Sequence, residues 1–296
     1  MELDRVKQIR ALLPASDLAL GYGSGVIRQS GYGNDSGEMI DVLVLTRDRQ
    51  AYVRSLLERR YISANACLFA SSINPQILFF PNVEPLPGIR LKIGVVDALQ
   101  CLERLKDWGD SFYIPGRLQK PVRIIDSPDT EFLGEFIQAQ LCNHQSALLA
   151  ALLNLPQHVG SEFTLNQLYS SLVGLSYLGD VRVGIAENPN KIPNIVSAQF
   201  HLLEDIYRPH FGATGIFMSS DGWYTASKTP DDLWKSLPPN FTRSAIQLAD
   251  SRDALRATLS SINRRESLKQ ALVGVGTAGI GNSFRYLARK VSKRFK

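Results

Sequence analysis

The sequence predicts an α+β chain, or a mixed α/β one, with a helical second domain. Three observations carry this reading. Strand-length apolar runs dominate the first 125 residues, helical periodicity fills residues 128–176, and strand character returns near residue 181. That return reads either as a strand rejoining the first sheet or as a domain boundary made by more than one cut. The expected divisions are residues 1–127, 128–244 and 245–296.

Residues 1–13 read as a short helix closed by Pro14. "DLALGYG" (17–23) reads as a strand running into a tight glycine turn. "MIDVLVL" (39–45) is almost continuously apolar, as expected of a buried strand at a sheet centre. "DRQAYVRSLLERRYI" (48–62) follows as a helix with Tyr52, Leu56 and Leu57 at core spacing. Residues 77–108 hold two strands around a Pro-rich turn, then a helix, and residues 111–126 read as a turn feeding another strand. "TLNQLYSSLVGLSYL" (164–178) opens at a Thr cap. Residues 179–196 read as a strand and a polar turn, 197–240 as mixed and Pro-punctuated, and the chain from Ala245 onward as helical and increasingly basic.

At 296 residues and 44% hydrophobic, the chain can bury a sizeable core, and its length suits two domains. Its three cysteines, Cys67, Cys101 and Cys142, are odd in number and widely spaced. That argues against a disulfide framework, no Cys-x-x-Cys pair points to zinc, and the set suits a reducing compartment. No apolar stretch approaches the ~20 residues needed to span a bilayer. "MELDRVKQIRALLP" reads as neither a secretory signal nor an acid-poor transit peptide, so a bacterial cytoplasmic protein is the simpler expectation. Net charge is +5, but Arg285, Arg289, Lys290, Lys293, Arg294 and Lys296 supply six positive charges without an acid; subtracting them leaves −1. The basic balance therefore describes a tail, not a nucleic-acid-binding body.

"GYGSGVIRQSGYGNDSGEMIDVLVLT" (21–46) departs from ordinary core or loop. A Gly-Ser backbone after a strand presents N–H groups that can hold phosphate oxygens, and an aspartate on the next strand, Asp41, can hold a divalent cation. Together they make a place for a nucleoside triphosphate with its metal, in the manner of the nucleotidyltransferase superfamily. A glycine-rich hairpin beside one aspartate is equally a simple turn. It is no Walker loop, since no Gly-Lys-Ser/Thr follows, and no dinucleotide fingerprint, since its glycines precede a strand. Many nucleotidyltransferases carry two acids two residues apart on that strand; here the second position is Leu43, so further metal ligands must come from elsewhere.

"GRLQKP" (116–121) places Arg117 and Lys120 three apart, which suits a polyphosphate or a merely solvated basic turn. "SYLGDVRVGIAENPNKIPNIV" (176–196) carries Asp180, Arg182, Glu187 and Lys191, with Asp180 and Arg182 sharing a face if extended. The four histidines, His144, His158, His201 and His210, are not grouped as metal ligands and read as structural or surface residues.

"YGSGV", "MIDVLV", "LKIGVV", "YIPGRLQKPV", "SYLGDVR" and "AENPNKIPNIV" occur in the order and at about the spacing seen in one family. Over residues 20–200 the chain resembles the mitochondrial-type CDP-diacylglycerol synthases, also called the translocator assembly and maintenance protein family. The resemblance implies a nucleotidyltransferase-like mixed-sheet domain, a winged-helix-like second domain and a C-terminal amphipathic helix near the membrane. It implies that CTP and phosphatidic acid give CDP-diacylglycerol and pyrophosphate with Mg²⁺. By carry-over, Gly23 and Ser24 form the triphosphate turn, Asp41 and Asp180 are catalytic and metal-binding carboxylates, and Lys92, Arg117 and Lys120 contact phosphates. Arg182 and Lys191 are the nearby substrate contacts. The strand "LKIGVVD" departs from the family's usual Lys-Tyr-Gly-Val-Val-Ser at Ile93 and Asp97, while Lys92 and Gly94 are kept.

A lipid substrate must be reached from a bilayer. On a helical wheel Ile280, Phe284, Leu287, Val291 and Phe295 share one narrow face, Arg285, Arg289, Lys293 and Lys296 face away, and Lys290 and Arg294 flank the stripe. This is the pattern of an interfacial helix on anionic lipid, each base contributing about 1 kcal/mol near the surface; packing on the protein's own body is the other possibility. The expected protein is thus peripheral, on the cytoplasmic or matrix face of an inner membrane, with no nucleic-acid partner. A non-catalytic nucleotide- or lipid-binding adaptor on the same fold is the second reading, supported by the single strand carboxylate.

Overall fold

The computed structural model describes residues 3–27, 39–155, 162–181, 189–219 and 221–278. Its first half contains α1 (Leu3–Leu12), β1 (Leu18–Tyr22), β2 (Ile40–Thr46), α2 (Arg49–Glu58), α3 (Ala64–Ser72), β3 (Leu78–Leu86), β4 (Ile89–Asp97), α4 (Ala98–Lys106), α5 (Pro115–Leu118) and β5 (Arg123–Asp126). The five strands form one mixed sheet in the order β3-β4-β2-β1-β5. Central β2 runs antiparallel to β1 and parallel to β4.

The apolar run in β2 reflects cover on both faces. Val42 and Val44 pack with Ile9 of α1, Tyr52, Val53 and Leu56 of α2, and Cys67 and Ala70 of α3. Leu43 and Leu45 point the other way, into a cluster with Phe79, Cys101, Leu102 and Leu105 and with Phe132 and Phe136 of the next helix. Leu43 is therefore a core residue, which explains why no second carboxylate stands two places beyond Asp41.

The second half contains α6 (Thr130–Leu153), α7 (Leu165–Gly174), α8 (Lys191–Tyr207), α9 (Phe211–Thr214), β6 (Ile216–Met218), β7 (Tyr224–Ala226), α10 (Pro230–Lys235), α11 (Pro239–Ser244) and α12 (Ser251–Ala278). Thr164 and Gln167 close a capping box at the start of α7. The helices enclose a core of Leu148, Leu152, Leu168, Leu172, Leu203, Tyr207, Leu255 and Leu259, into which Trp108 and Phe112 also pack. Among the described residues no helix is long and apolar enough to cross a membrane.

Two segments differ from their expected form. The strand expected near residue 181 falls mostly on residues 182–188, outside the described residues; at the end of 179–196 Lys191 begins α8, and among the described residues the strands of the sheet all come from residues 18–126. In place of the end of the expected polar turn there is a helix, because Ile195, Val196, Gln199 and Leu203 bury one helical face. Pro193 is compatible with a helix because it lies in the first turn, where backbone N–H groups have no intrahelical partner. The expected turn at "GRLQKP" begins in a single helical turn, α5, started by Pro115.

His144 is buried, with the rings of Tyr207 and His210 5.4 and 6.3 Å away. Burial first, and His210 second, push its pKa down from 6.5 to about 4. An unfolded chain would bind the proton that the folded chain refuses, so this contribution is complete above pH 6.5 and lost as pH falls toward 4. The loss should approach about 3 kcal/mol. Denaturant midpoints at pH 7 and 4.5 should therefore differ more in the parent protein than in His144→Leu; equal differences would remove His144 as the cause.

Candidate active site

Strand register sets three polar residues side by side. Tyr22 of β1 pairs with Asp41 of β2, which pairs with Lys92 of β4. Period-2 alternation places them on the face of Leu20, Leu43 and Gly94, one step beyond the apolar core. Lys92 Nζ lies 3.2 Å from Asp41 Oδ1, with both side chains 23% exposed. Phe79 of β3 lies beneath Lys92, 4.5 Å from Nζ to the ring centroid.

The Gly-Ser turn closes over the same carboxylate. Gly23 has φ +74°, and a β-carbon there would sit 3.0 Å from Asp41 Oδ2, so glycine leaves that oxygen uncovered. The Gly23 carbonyl accepts from the N–H groups of Val26 and Ile27, while Ser24 and Gly25 make no hydrogen bond within the described residues. Free N–H groups beside a carboxylate suit an anion carrying a cation.

Arg117 completes this cluster. Its guanidinium stacks 3.5 Å above the Tyr113 ring, lies 5.9 Å from Phe79, and donates to the Tyr113 carbonyl at 3.0 Å. The Tyr22 hydroxyl is buried, and burial pushes its pKa up to about 12; Lys92 and Arg117 oppose the rise, and Asp41 and Tyr113 add to it. Tyr22 therefore remains a neutral donor at ordinary pH.

The helical half grips the turn that carries Arg117. Asn143 donates to the Pro115 carbonyl at 3.2 Å, Gln140 to Leu118 and Tyr207 to Gln119 at 2.5 Å each. Trp108 Nε1 donates to Asn143 Oδ1 at 3.0 Å, which turns the amide nitrogen toward Pro115. Burial raises the Tyr207 pKa, keeping its hydroxyl a donor. Tyr207→Phe should cost about 1–2 kcal/mol by leaving a buried carbonyl unpaired. In the reaction that the resemblance implies, it should also raise KM for CTP more than it lowers kcat; a stability loss with unchanged kinetics would show that the grip does not reach Arg117.

Lys120 is directed elsewhere, 2.7 Å from Ser176 Oγ and 5.1 Å from the Tyr177 ring centroid. Asp180 is buried in the turn that follows, beside α12. Lys191 is partly buried in the first turn of α8. The structure thus gathers Gly23, Asp41, Lys92 and Arg117 into one cluster and sets Lys120 and Asp180 along an adjoining wall. Arg182 lies outside the described residues, as do Phe284, Arg285, Leu287, Arg289, Lys290, Val291, Lys293, Arg294 and Phe295 of the tail. Sequence reasoning missed Tyr22, Phe79, Tyr113, Ser176 and Tyr177. Tyr22 had a signal, since it ends the strand at the alternation that shares the Leu20 face.

A family described as phosphatidate cytidylyltransferase, mitochondrial, matches residues 6–218. Proteins carrying that name are similar along nearly the whole chain. The one from Mus musculus is 30% identical over 98% of this chain and 94% of its own. That from Drosophila melanogaster is 29% identical over 99% of each, and that from Schizosaccharomyces pombe 29% identical over 94% of this chain and 80% of its own. With the match running through the Gly-Ser turn, the three site strands and the Asp180 turn, the chain belongs to the mitochondrial phosphatidate cytidylyltransferase family.

Proposed function

We propose that the chain is a phosphatidate cytidylyltransferase, transferring the cytidylyl group of CTP to phosphatidic acid to give CDP-diacylglycerol and pyrophosphate. The observation that carries the reading is the cluster of Asp41, Lys92 and Arg117 around the open Gly23–Gly25 turn, in a chain of this family. A phosphatidate oxygen attacks the α-phosphorus of CTP; the new O–P bond forms as the bond to the β-phosphate oxygen breaks. Ser24 and Gly25 N–H groups hold the triphosphate, and Arg117 and Lys92 offset the charge that grows on the departing pyrophosphate. The aromatic seats under the two cations fix their direction before substrate arrives.

The residues present fit Mg²⁺. Asp41 offers a hard oxygen that Gly23, lacking a side chain, leaves uncovered, and one or two carboxylates with substrate phosphates are the usual protein contribution. Bound there, Mg²⁺ would supply charge neutralisation on the triphosphate. Asp180 is the proposed second catalytic carboxylate. The mixed sheet is read as a nucleotidyltransferase-like domain. The β6–β7 hairpin after α7 and α8 supports reading the helical half as winged-helix-like. Residues 279–296 are proposed to hold the protein on an anionic membrane as a peripheral protein; removing them should weaken liposome flotation but not CTP binding.

Pyrophosphate release should require CTP, phosphatidic acid and Mg²⁺ together, with ATP, GTP and UTP inactive. Binding of CTP by folded protein without release, in detergent and in liposomes, would favour the adaptor reading.

A further inference from the structure

A groove of about 890 Å³ runs between the Tyr177–Val181 turn and α12, lined by Asp180, Ser260, Ser261, Arg264 and Leu268 among others. We propose that it binds the phosphate-monoester headgroup of the lipid substrate, with Arg264 as its cationic contact; this rests on the function proposed above.

The groove is firmly built. Asn263 of α12 donates to the carbonyls of Leu175 and Leu178 at 3.0 and 2.9 Å, and the Val181 N–H reaches Ser267 Oγ at 3.4 Å. Gly179, at φ +71°, lies so close to α12 that a β-carbon would fall 2.3 Å from the Ser260 carbonyl oxygen. The turn therefore holds Asp180 against the helix. Its other end touches the nucleotide cluster's wall, because Lys120 binds Ser176 and lies over Tyr177.

Charge then selects the ligand. Arg265 is tied to Asp110 and Glu266, whereas the neighbouring Arg264 guanidinium has no ion pair or hydrogen bond among the described residues. A phosphate monoester can accept from that guanidinium in a bidentate fork. Apolar surface continues along the same helix: Leu268 is 51% exposed and Leu272, one turn on, 74% exposed. Such a track suits the glyceride end of a lipid leaving the phosphate beside Lys120 and Asp180. A free phosphate would have no use for it.

The test uses the full chain and dihexanoyl phosphatidate below its micelle concentration, so that membrane attachment plays no part. Arg264→Gln should weaken binding about tenfold by calorimetry and raise KM for this lipid by a similar factor, with KM for CTP within about twofold. Arg264→Lys should recover most of the loss. Glycerol 3-phosphate should bind more weakly than the lipid, with the same dependence on Arg264. Unchanged lipid binding in Arg264→Gln overturns the proposal, as does an equal rise in both KM values, which would assign the groove to the nucleotide. Glycerol 3-phosphate binding as tightly as the lipid overturns the lipid assignment. If the parent protein releases no pyrophosphate yet binds the lipid through Arg264, the groove stands and the catalytic reading falls.

Discussion

Asp41→Asn should lower CTP- and phosphatidate-dependent pyrophosphate release by about 10³-fold, some 4 kcal/mol of transition-state stabilisation. The side chain keeps its shape and loses its charge, so it remains beside Lys92 and the Gly23 turn but no longer offers a full anion. The fold should hardly respond. The lost ion pair is partly exposed, and such pairs contribute about 0–1 kcal/mol. Kinetics across a Mg²⁺ titration, with a thermal melt of the same samples, separate the two effects. Activity within tenfold of the parent at every Mg²⁺ concentration, low ones included, would remove Asp41 from the metal-binding role.

Gly179→Ala should have the largest effect on stability, a loss of at least about 3 kcal/mol and a fall in Tm of about 6–12 °C. Two costs combine. A left-handed backbone conformation is unfavourable for a residue with a β-carbon, and here that carbon would meet the Ser260 backbone, 2.3 Å from its oxygen and 2.6 Å from its Cα. A side chain can rotate away, but the carbonyl belongs to the interior of α12. The turn must detach, taking Asp180 with it, so kcat should fall as well. A melt and a kcat both like the parent's would mean that the turn and helix part at no cost.

Much of this was readable in the chain and some was not, for physical reasons. The buried central strand announced itself because cover on two faces demands an unbroken apolar run, and Asp41 stood out as the charge inside it. Alternation from Leu18 and Leu20 also reaches Tyr22, so the row with Asp41 was half visible. Its third member depended on parallel pairing of β2 with β4, a long-range choice with no local mark. The aromatic seat of Lys92 is equally non-local, since Phe79 lies on β3, whereas Tyr113 stands only four residues before Arg117. Around Lys191, two prolines and polar residues resembled a turn, and only packing against the helical core decides for a helix. The groove beside Asp180 joins positions about 80 residues apart, which no short motif encodes.

The carbonyls of Pro115, Leu118 and Gln119 and the side chains that satisfy them lie on opposite sides of residue 127. A chain bisected there would leave every strand of the large sheet, with Arg117 and Lys120, in one fragment and Gln140, Asn143 and Tyr207 in the other. The first fragment would carry the right residues on an unanchored turn. Activity should then return only by complementation, when both fragments reassemble. In inheritance the two halves are one unit: a recombination event that grafts a foreign helical half onto this sheet must bring its own three donors in register.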